Sequence, residues 1–504
     1  MTNPAVEHEH LDVLVVGAGL SGIGAGHYIQ DKCPWATYAI FEARDAIGGT
    51  WDLFRYPGIR SDSDMFTLGY SFRPWDGDKA IADGDSILQY IKDTAAEEGI
   101  DRHIRFGHRI VAAAWSTEKA CWHFTAEQTA TGERVELTAD FIFSCSGYYR
   151  YDHGYTPDFA GIERFEGTII HPQHWPEKLD VAGKRVVVIG SGATAVTLVP
   201  ALAATAAHVT MLQRSPSYIV SVPAKDPLAN FMRRTLPTRV SGPAIKWFHA
   251  LTTQGVYRLS RRRPKLVKRL LRAGLKQQLP KGYDVDAHFK PHYNPWDQRL
   301  CAVPNGDLFK AISAGTVSVA TDRIATFTEK GLSLECAELE ADVIVTATGL
   351  DLLFLGGIEL TVDGEAVDLP SKLTYKGMML EGVPNLAIAV GYTNASWTLK
   401  CDLTCQYVTR LLNHMHRMGD RQCAPVNQDP SVIAQPLLTL TSGYVQRAAE
   451  RFPKQGSKFP WQVYQSYLRD YRALKQSSIH DDAMVFSNPA PTPAGALVGV
   501  GGPL

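Results

Sequence analysis

The 504-residue sequence has no apolar run near the roughly 20 residues a membrane-spanning helix needs, so it offers no such helix. It has almost no net charge, formally −1 with a pI near 7.0, so bulk electrostatics argue for neither nucleic acid nor an anionic surface as the main partner. Its eight cysteines form no CxxC pair and no Cys/His grouping at zinc spacing. That excludes a metal site and a dithiol redox centre, and leaves reduced, buried thiols. The opening MTNPAVEHEHLD lacks a basic stretch followed by an apolar one, so no secretory signal is read and a cytoplasmic location is expected. One further absence is local. From Pro227 to Tyr283 there is no Asp or Glu, yet fourteen Lys or Arg, including RRRPKLVKR at 261–269.

What is present begins with LDVLVV at 11–16, a continuous apolar run of buried-strand length, followed at once by GAGLSG. Gly17 permits a tight turn, Gly19 lets a pyrophosphate approach the backbone, and Gly22 lets helix and strand pack closely. The helix entered near Ser21 aims its N-terminal amides at phosphate. The next strand, TYAIFE, ends in Glu42, whose carboxylate accepts from ribose hydroxyls and repels a 2′-phosphate, suiting FAD or NAD. A second unit repeats the pattern. KRVVVIG leads into Gly190-Ser191-Gly192-Ala193-Thr194-Ala195, with Ala195 in place of the third glycine. The strand HVTMLQR then ends in Arg214 and Ser215, and a guanidinium there pairs with a 2′-phosphate. The two turns predict FAD at the first and NADPH at the second.

Between them lies FEGTIIHPQHWP, spaced Phe165-x-Gly167-x-x-x-His171-x-x-x-Trp175-Pro176. This resembles the FxGxxxHxxxWP fingerprint of flavin-dependent Baeyer-Villiger monooxygenases. GGTWDLFRYPGIRSD at 48–62 resembles the family's second fingerprint through Gly48, Gly49, Trp51, Tyr56, Pro57, Gly58 and Asp62. The resemblance implies that this loop lies along the flavin, with Gly49, Thr50, Trp51, Asp52, Arg60 and Ser61 at the cofactor. It also implies that Ile110 contacts the flavin's adenine through its backbone, and that Phe165, Gly167, His171 and Trp175 form a domain linker. In HYNPWDQRL the family's basic pair stands as Gln298-Arg299, so Arg299 inherits the catalytic role and Asp62 orients it. Gln298 lacks the usual charge, which shifts NADPH selection onto Arg214. The wording of RYPGIRSDSDM, IIHPQHWPE and GYTNASWTLK is similar to that of the ethionamide-activating monooxygenase group.

The expected fold is α/β: two Rossmann-like dinucleotide-binding domains with a helical insertion. The FAD domain spans 1–150 and 348–486, and the NADPH domain 151–225 and 285–347. A basic helical insertion covers 226–284, and a disordered tail 487–504. By the resemblance, NADPH reduces FAD, a C4a-peroxyflavin attacks a ketone, and an ester or lactone leaves. The substrates are dioxygen and a small ketone or sulfide, thioamides included. Two alternatives stand beside this: a heteroatom (N or S) flavin monooxygenase, and a non-catalytic flavin-fold binding protein. For 227–283 a basic face docking on anionic lipid stands beside a plain solvated surface.

Overall fold

In a computed structural model of the protein, which describes residues 9–489, the two apolar runs become the central strands of two separate sheets. His10–Val16 pairs in parallel with Tyr38–Phe41 on one side and with the end of Arg134–Ser144 on the other, Val13 facing both Tyr38 and Phe141. Side chains from Val13 to Val15 are fully buried, as a strand covered on both faces requires. One cover is the helix Leu20–Lys32, packed in turn against Trp397–Met418. The strands His108–Ser116, Cys121–Gln128 and Arg134–Ser144 form an antiparallel meander. The last strand serves twice, its first half in the meander and its second in the parallel core beside Leu386–Ile388.

The second sheet is wholly parallel, in the order Val317–Thr321, His208–Gln213, Arg185–Ile189, Val343–Thr346, Thr168–Ile170. The chain leaves Arg185–Ile189 in one direction and returns on its other side. That switch point opens a crevice above the strand's carboxyl end, where Gly190 begins. The chain crosses between the two sheets twice, and the crossings lie side by side. Arg150 N donates to Asp351 O at 3.0 Å, and Tyr155 N to Gly349 O at 3.0 Å.

The basic insertion is three helices, Pro227–Thr235, Thr238–Arg262 and Pro264–Gln278. No helix among the described residues is long and apolar enough to cross a membrane. Of the tail expected from 487, Ser487 closes a strand paired with Gln422, and 490–504 lie outside the described residues.

Candidate active site

Both turns are built as their glycines demand. Gly17 has φ +96°, and a Cβ on it would stand 2.9 Å from Cys145 O. A Cβ on Gly22 would fall 1.8 Å from Gly17 O, so only glycine lets helix and strand approach this closely. Gly190, at φ +134°, sits against Ala347 O, while nothing lies within 4 Å of a Cβ on Gly192. The helices that follow, Leu20–Lys32 and Ala193–Leu202, start at Gly19 and Gly192 with no side-chain cap. Their first amides are left for an anionic ligand.

The strand ends differ as their residues do. Glu42 is buried, and its two oxygens accept from Ala18 N at 2.7 Å and Arg44 N at 3.0 Å. Burial pushes its pKa up, and those amides pull the other way. Each oxygen keeps a lone pair for a ribose hydroxyl. Arg214 is exposed, and among the described residues its guanidinium meets no carboxylate.

The 48–62 segment joins the two units. Gly48 N donates to Ala18 O at 3.1 Å, tying its start to the first turn. Phe54 and Tyr56 belong to the apolar cluster of the second unit, and a Cβ on Gly58 would stand 2.9 Å from Thr197 O on that unit's helix. The segment ends at Asp62, which accepts from Arg299 Nε at 2.6 Å and Nη2 at 2.7 Å, a bidentate pair. Arg299 lies two residues before the strand Cys301–Pro304, which is paired with Ile219–Val222, and its Nη1 reaches Thr393 O at 3.4 Å. Burial works against the Arg299 charge, but Asp62 more than reverses this and its pKa is raised. The guanidinium is a fixed cation.

One cavity of about 1260 Å³ takes in all of this, larger than the roughly 300–1000 Å³ of a single-ligand pocket. It is lined by Gly17, Gly19, Ser21, Glu42, Gly49, Thr50, Trp51, Arg60, Ser61, Asp62 and Ile110 from the first unit and the loop. From the second unit come Gly190, Ser191, Gly192, Ala193, Thr194, Arg214, Ser215 and Arg299. Gln298 lines it as well. Two uncapped helix N-termini, an acid at one strand end and a free guanidinium at the other fit two dinucleotides in one space.

Other expected residues lie back from the cavity. Gly22 and Ala195 pack helix on strand. The buried Asp52 carboxylate is taken by Arg44 at 2.5 Å and by Arg55. Arg60 and Asp62, which line the cavity two positions apart in the loop, do not pair, because Arg60 turns to Asp307 at 2.5 Å. Of the linker residues, Phe165 is buried against Phe327, and Gly167 has no room for a Cβ beside Asp342 O. Trp175 packs on the second unit's core. His171 Nδ1 accepts from Gln173 N at 3.2 Å, so its Nε2 donates to Gly349 O at 3.2 Å and fastens one chain crossing. Burial holds its pKa below the ordinary 6.5.

Several lining residues were given no role by the sequence, although Trp397 lies in GYTNASWTLK, one of the segments that carry the resemblance. Tyr149 and Tyr444 flank Arg299, and burial raises both their pKa values and keeps them neutral. Trp397 donates to Ser21 Oγ at 2.8 Å and fixes that hydroxyl at the first turn. Arg323 lies just beyond Val317–Thr321, the strand paired with His208–Gln213 (Thr321 opposite Gln213), and so comes close to Arg214. Asp322, next to Arg323 in the chain, forms no ion pair with either arginine among the described residues, and its oxygens accept from the amides of Arg323 and Cys336.

With two nucleotide turns opening on one cavity and a fixed arginine between them, the geometry is that of a two-nucleotide flavoprotein. The chain belongs to the flavin-binding monooxygenase-like family, whose model matches residues 11–356. It is 54% identical over 486 residues to the FAD-containing monooxygenase EthA of Mycobacterium tuberculosis, covering 96% of this chain and 99% of that protein. To the probable FAD-binding monooxygenase AlmA of Acinetobacter baylyi it is 46% identical, covering 96% and 97%. A solved structure of oxidized steroid monooxygenase bound to NADP shares the fold, with a TM-score of 0.70, 23% identity, and coverage of 83% of this chain and 88% of that one.

Proposed function

We propose that this flavin monooxygenase uses FAD, NADPH and dioxygen to convert ketones to esters or lactones, and that it also oxygenates sulfides and thioamides. The observation that carries this reading is the Arg299–Asp62 pair, set in the one cavity that both nucleotide turns line. The bound flavin supplies hydride acceptance from NADPH and activation of dioxygen. The chain's own residues bind, orient and stabilise. The amides after Gly19 and Gly192 hold the two pyrophosphates, Glu42 holds ribose hydroxyls, and Arg214 with Arg323 faces the 2′-phosphate. Arg299 offers a cation to the oxygen atom that becomes anionic as a ketone carbonyl is attacked, and Asp62 holds its Nε and Nη2 so that no reorganisation is needed then. The balance is ketone, dioxygen, NADPH and one proton to ester, NADP⁺ and water.

The test uses FAD-loaded protein with NADPH, 2-octanone and isotopically labelled dioxygen, with products read by mass spectrometry. A labelled ester is expected. Arg299→Ala should lower its formation by about a hundredfold to a thousandfold while flavin absorbance is kept. NADPH-dependent oxygenation of a thioether without any ester would place the chain with the heteroatom oxygenases, and hydrogen peroxide alone would overturn both readings.

A further inference from the structure

Among the described residues sixteen large hydrophobic side chains are exposed, and ten of them fall between Leu228 and Leu270, nine on the three helices of the insertion and Leu236 between the first two. The long middle helix has two apolar faces. One is buried, through Ile245 and Ala250, and is anchored by Lys246, whose Nζ lies 2.9 Å from Asp402 and 2.8 Å from Ser71 Oγ. The other carries Val240, Phe248, Leu251 and Leu259, which with Ala244 and Gly255 repeat every three or four residues along one exposed stripe. The helix Pro264–Gln278 adds Leu266 and Leu270 four residues apart, both exposed. Phe231 and Leu270 stand 64% and 58% exposed, so the neighbouring helices do not cover them. The same segment holds fourteen of the chain's 51 Lys and Arg and none of its 52 Asp and Glu. Arg258, Arg262 and Arg269 are exposed with no acidic partner among the described residues.

We infer that this face docks on an anionic lipid bilayer. Apolar side chains on one face of a helix, edged by cations, are what a helix lying in the plane of a lipid surface presents: the stripe enters the acyl boundary and the cations meet headgroup charge. Charge complementarity selects this occupant. A second copy meeting the face symmetrically would press its exposed, unpaired cations, Arg258, Arg262 and Arg269 among them, against one another. None of the insertion lines the cavity described above, so docking leaves the nucleotide turns unobstructed.

The experiment is flotation of the full-length, FAD-loaded protein with vesicles of phosphatidylcholine alone, or with about a third phosphatidylglycerol. Binding is expected to the anionic vesicles and not to the neutral ones. Phe248→Ser with Leu251→Ser and Leu259→Ser should weaken it by about a hundredfold or more. A second triple variant, Arg258→Gln with Arg262→Gln and Arg269→Gln, should weaken it by about a hundredfold. Retained flavin absorbance and NADPH oxidation certify that each variant is folded. Absence of binding to anionic vesicles overturns the inference. So does binding that the stripe variant keeps, since charge alone would then account for it. Concentration-dependent self-association that the stripe variant abolishes, without vesicle binding, overturns it in favour of a second copy.

Discussion

The two nucleotide turns share a plan and differ in closure. At the first, Gly22 allows no Cβ, the acid at the strand end is buried, and Gly19 faces Gly49 with 3.6 Å between a Cβ and that glycine's Cα. At the second, Ala195 occupies the third-glycine position, Gly192 has open space before it, and the strand ends in an exposed, unpaired arginine. The first turn is walled by its neighbours as a resident group requires. The second is open, as suits a partner that must leave after each turnover. Closure is set by how near the next segment of chain comes: the 48–62 loop brings Gly49 against Gly19 at the first turn, whereas at the second unit its Gly58 meets the helix at Thr197 and leaves Gly192 uncovered.

Gly22→Ala tests the comparison most severely. Its methyl would overlap Gly17 O, so the purified variant should carry no flavin by absorbance and show no NADPH oxidation. Retained flavin would refute the closed reading of the first turn. Arg214→Ala should leave flavin in place and cut the preference for NADPH over NADH by about a hundredfold, as the loss of a charge-assisted pair implies. The readouts are kcat/KM for both nucleotides and the affinity for adenosine 2′,5′-bisphosphate. Arg323→Ala should act in the same direction and less strongly.

Between the two units the His171 link gives a smaller, pH-dependent effect. Its folded pKa lies below 6.5, so as pH falls through that value the unfolded chain takes up a proton that the folded chain refuses. The stability it contributes is complete above pH 6.5 and is lost on acidification. His171→Gln should therefore flatten the fall in Tm between about pH 7 and 5. His288 and His414, also held low by burial, account for slope that remains. Gly192→Ala should leave the fold and the bound flavin unchanged, since no protein atom lies where the methyl would go, and should raise KM for NADPH, whose pyrophosphate approaches the backbone at this second glycine. A loss as complete as that of Gly22→Ala would erase the distinction between the turns.

Much of this was legible in the sequence because it is local. A glycine turn, its strand and its helix lie within a few residues of one another, and the apolar runs mark which strands are covered on both faces. Asp52 was not legible in this way. It reads as one more polar residue of the flavin loop, and only the folded chain shows Arg44 and Arg55 closing on its carboxylate. Arg323 was hidden for the same reason, since it becomes a neighbour of the second turn only through pairing of Val317–Thr321 with His208–Gln213. The exposed stripe of the long insertion helix is apolar by sequence, but its other apolar face is equally so. Packing against Asp402 and Ser71 decided which one was buried.

The sequence by itself determined the two nucleotide units, the acid and the arginine that end them, and the basic insertion, because short-range sterics and hydrophobic pattern suffice for each. The pairing of Asp62 with Arg299, 237 residues apart, was expected from the resemblance and is present in the fold, but tertiary structure alone decided the single cavity they share with both turns. It also decided which cations were left without partners. Those outcomes depend on which distant segments meet, and no local pattern encodes them.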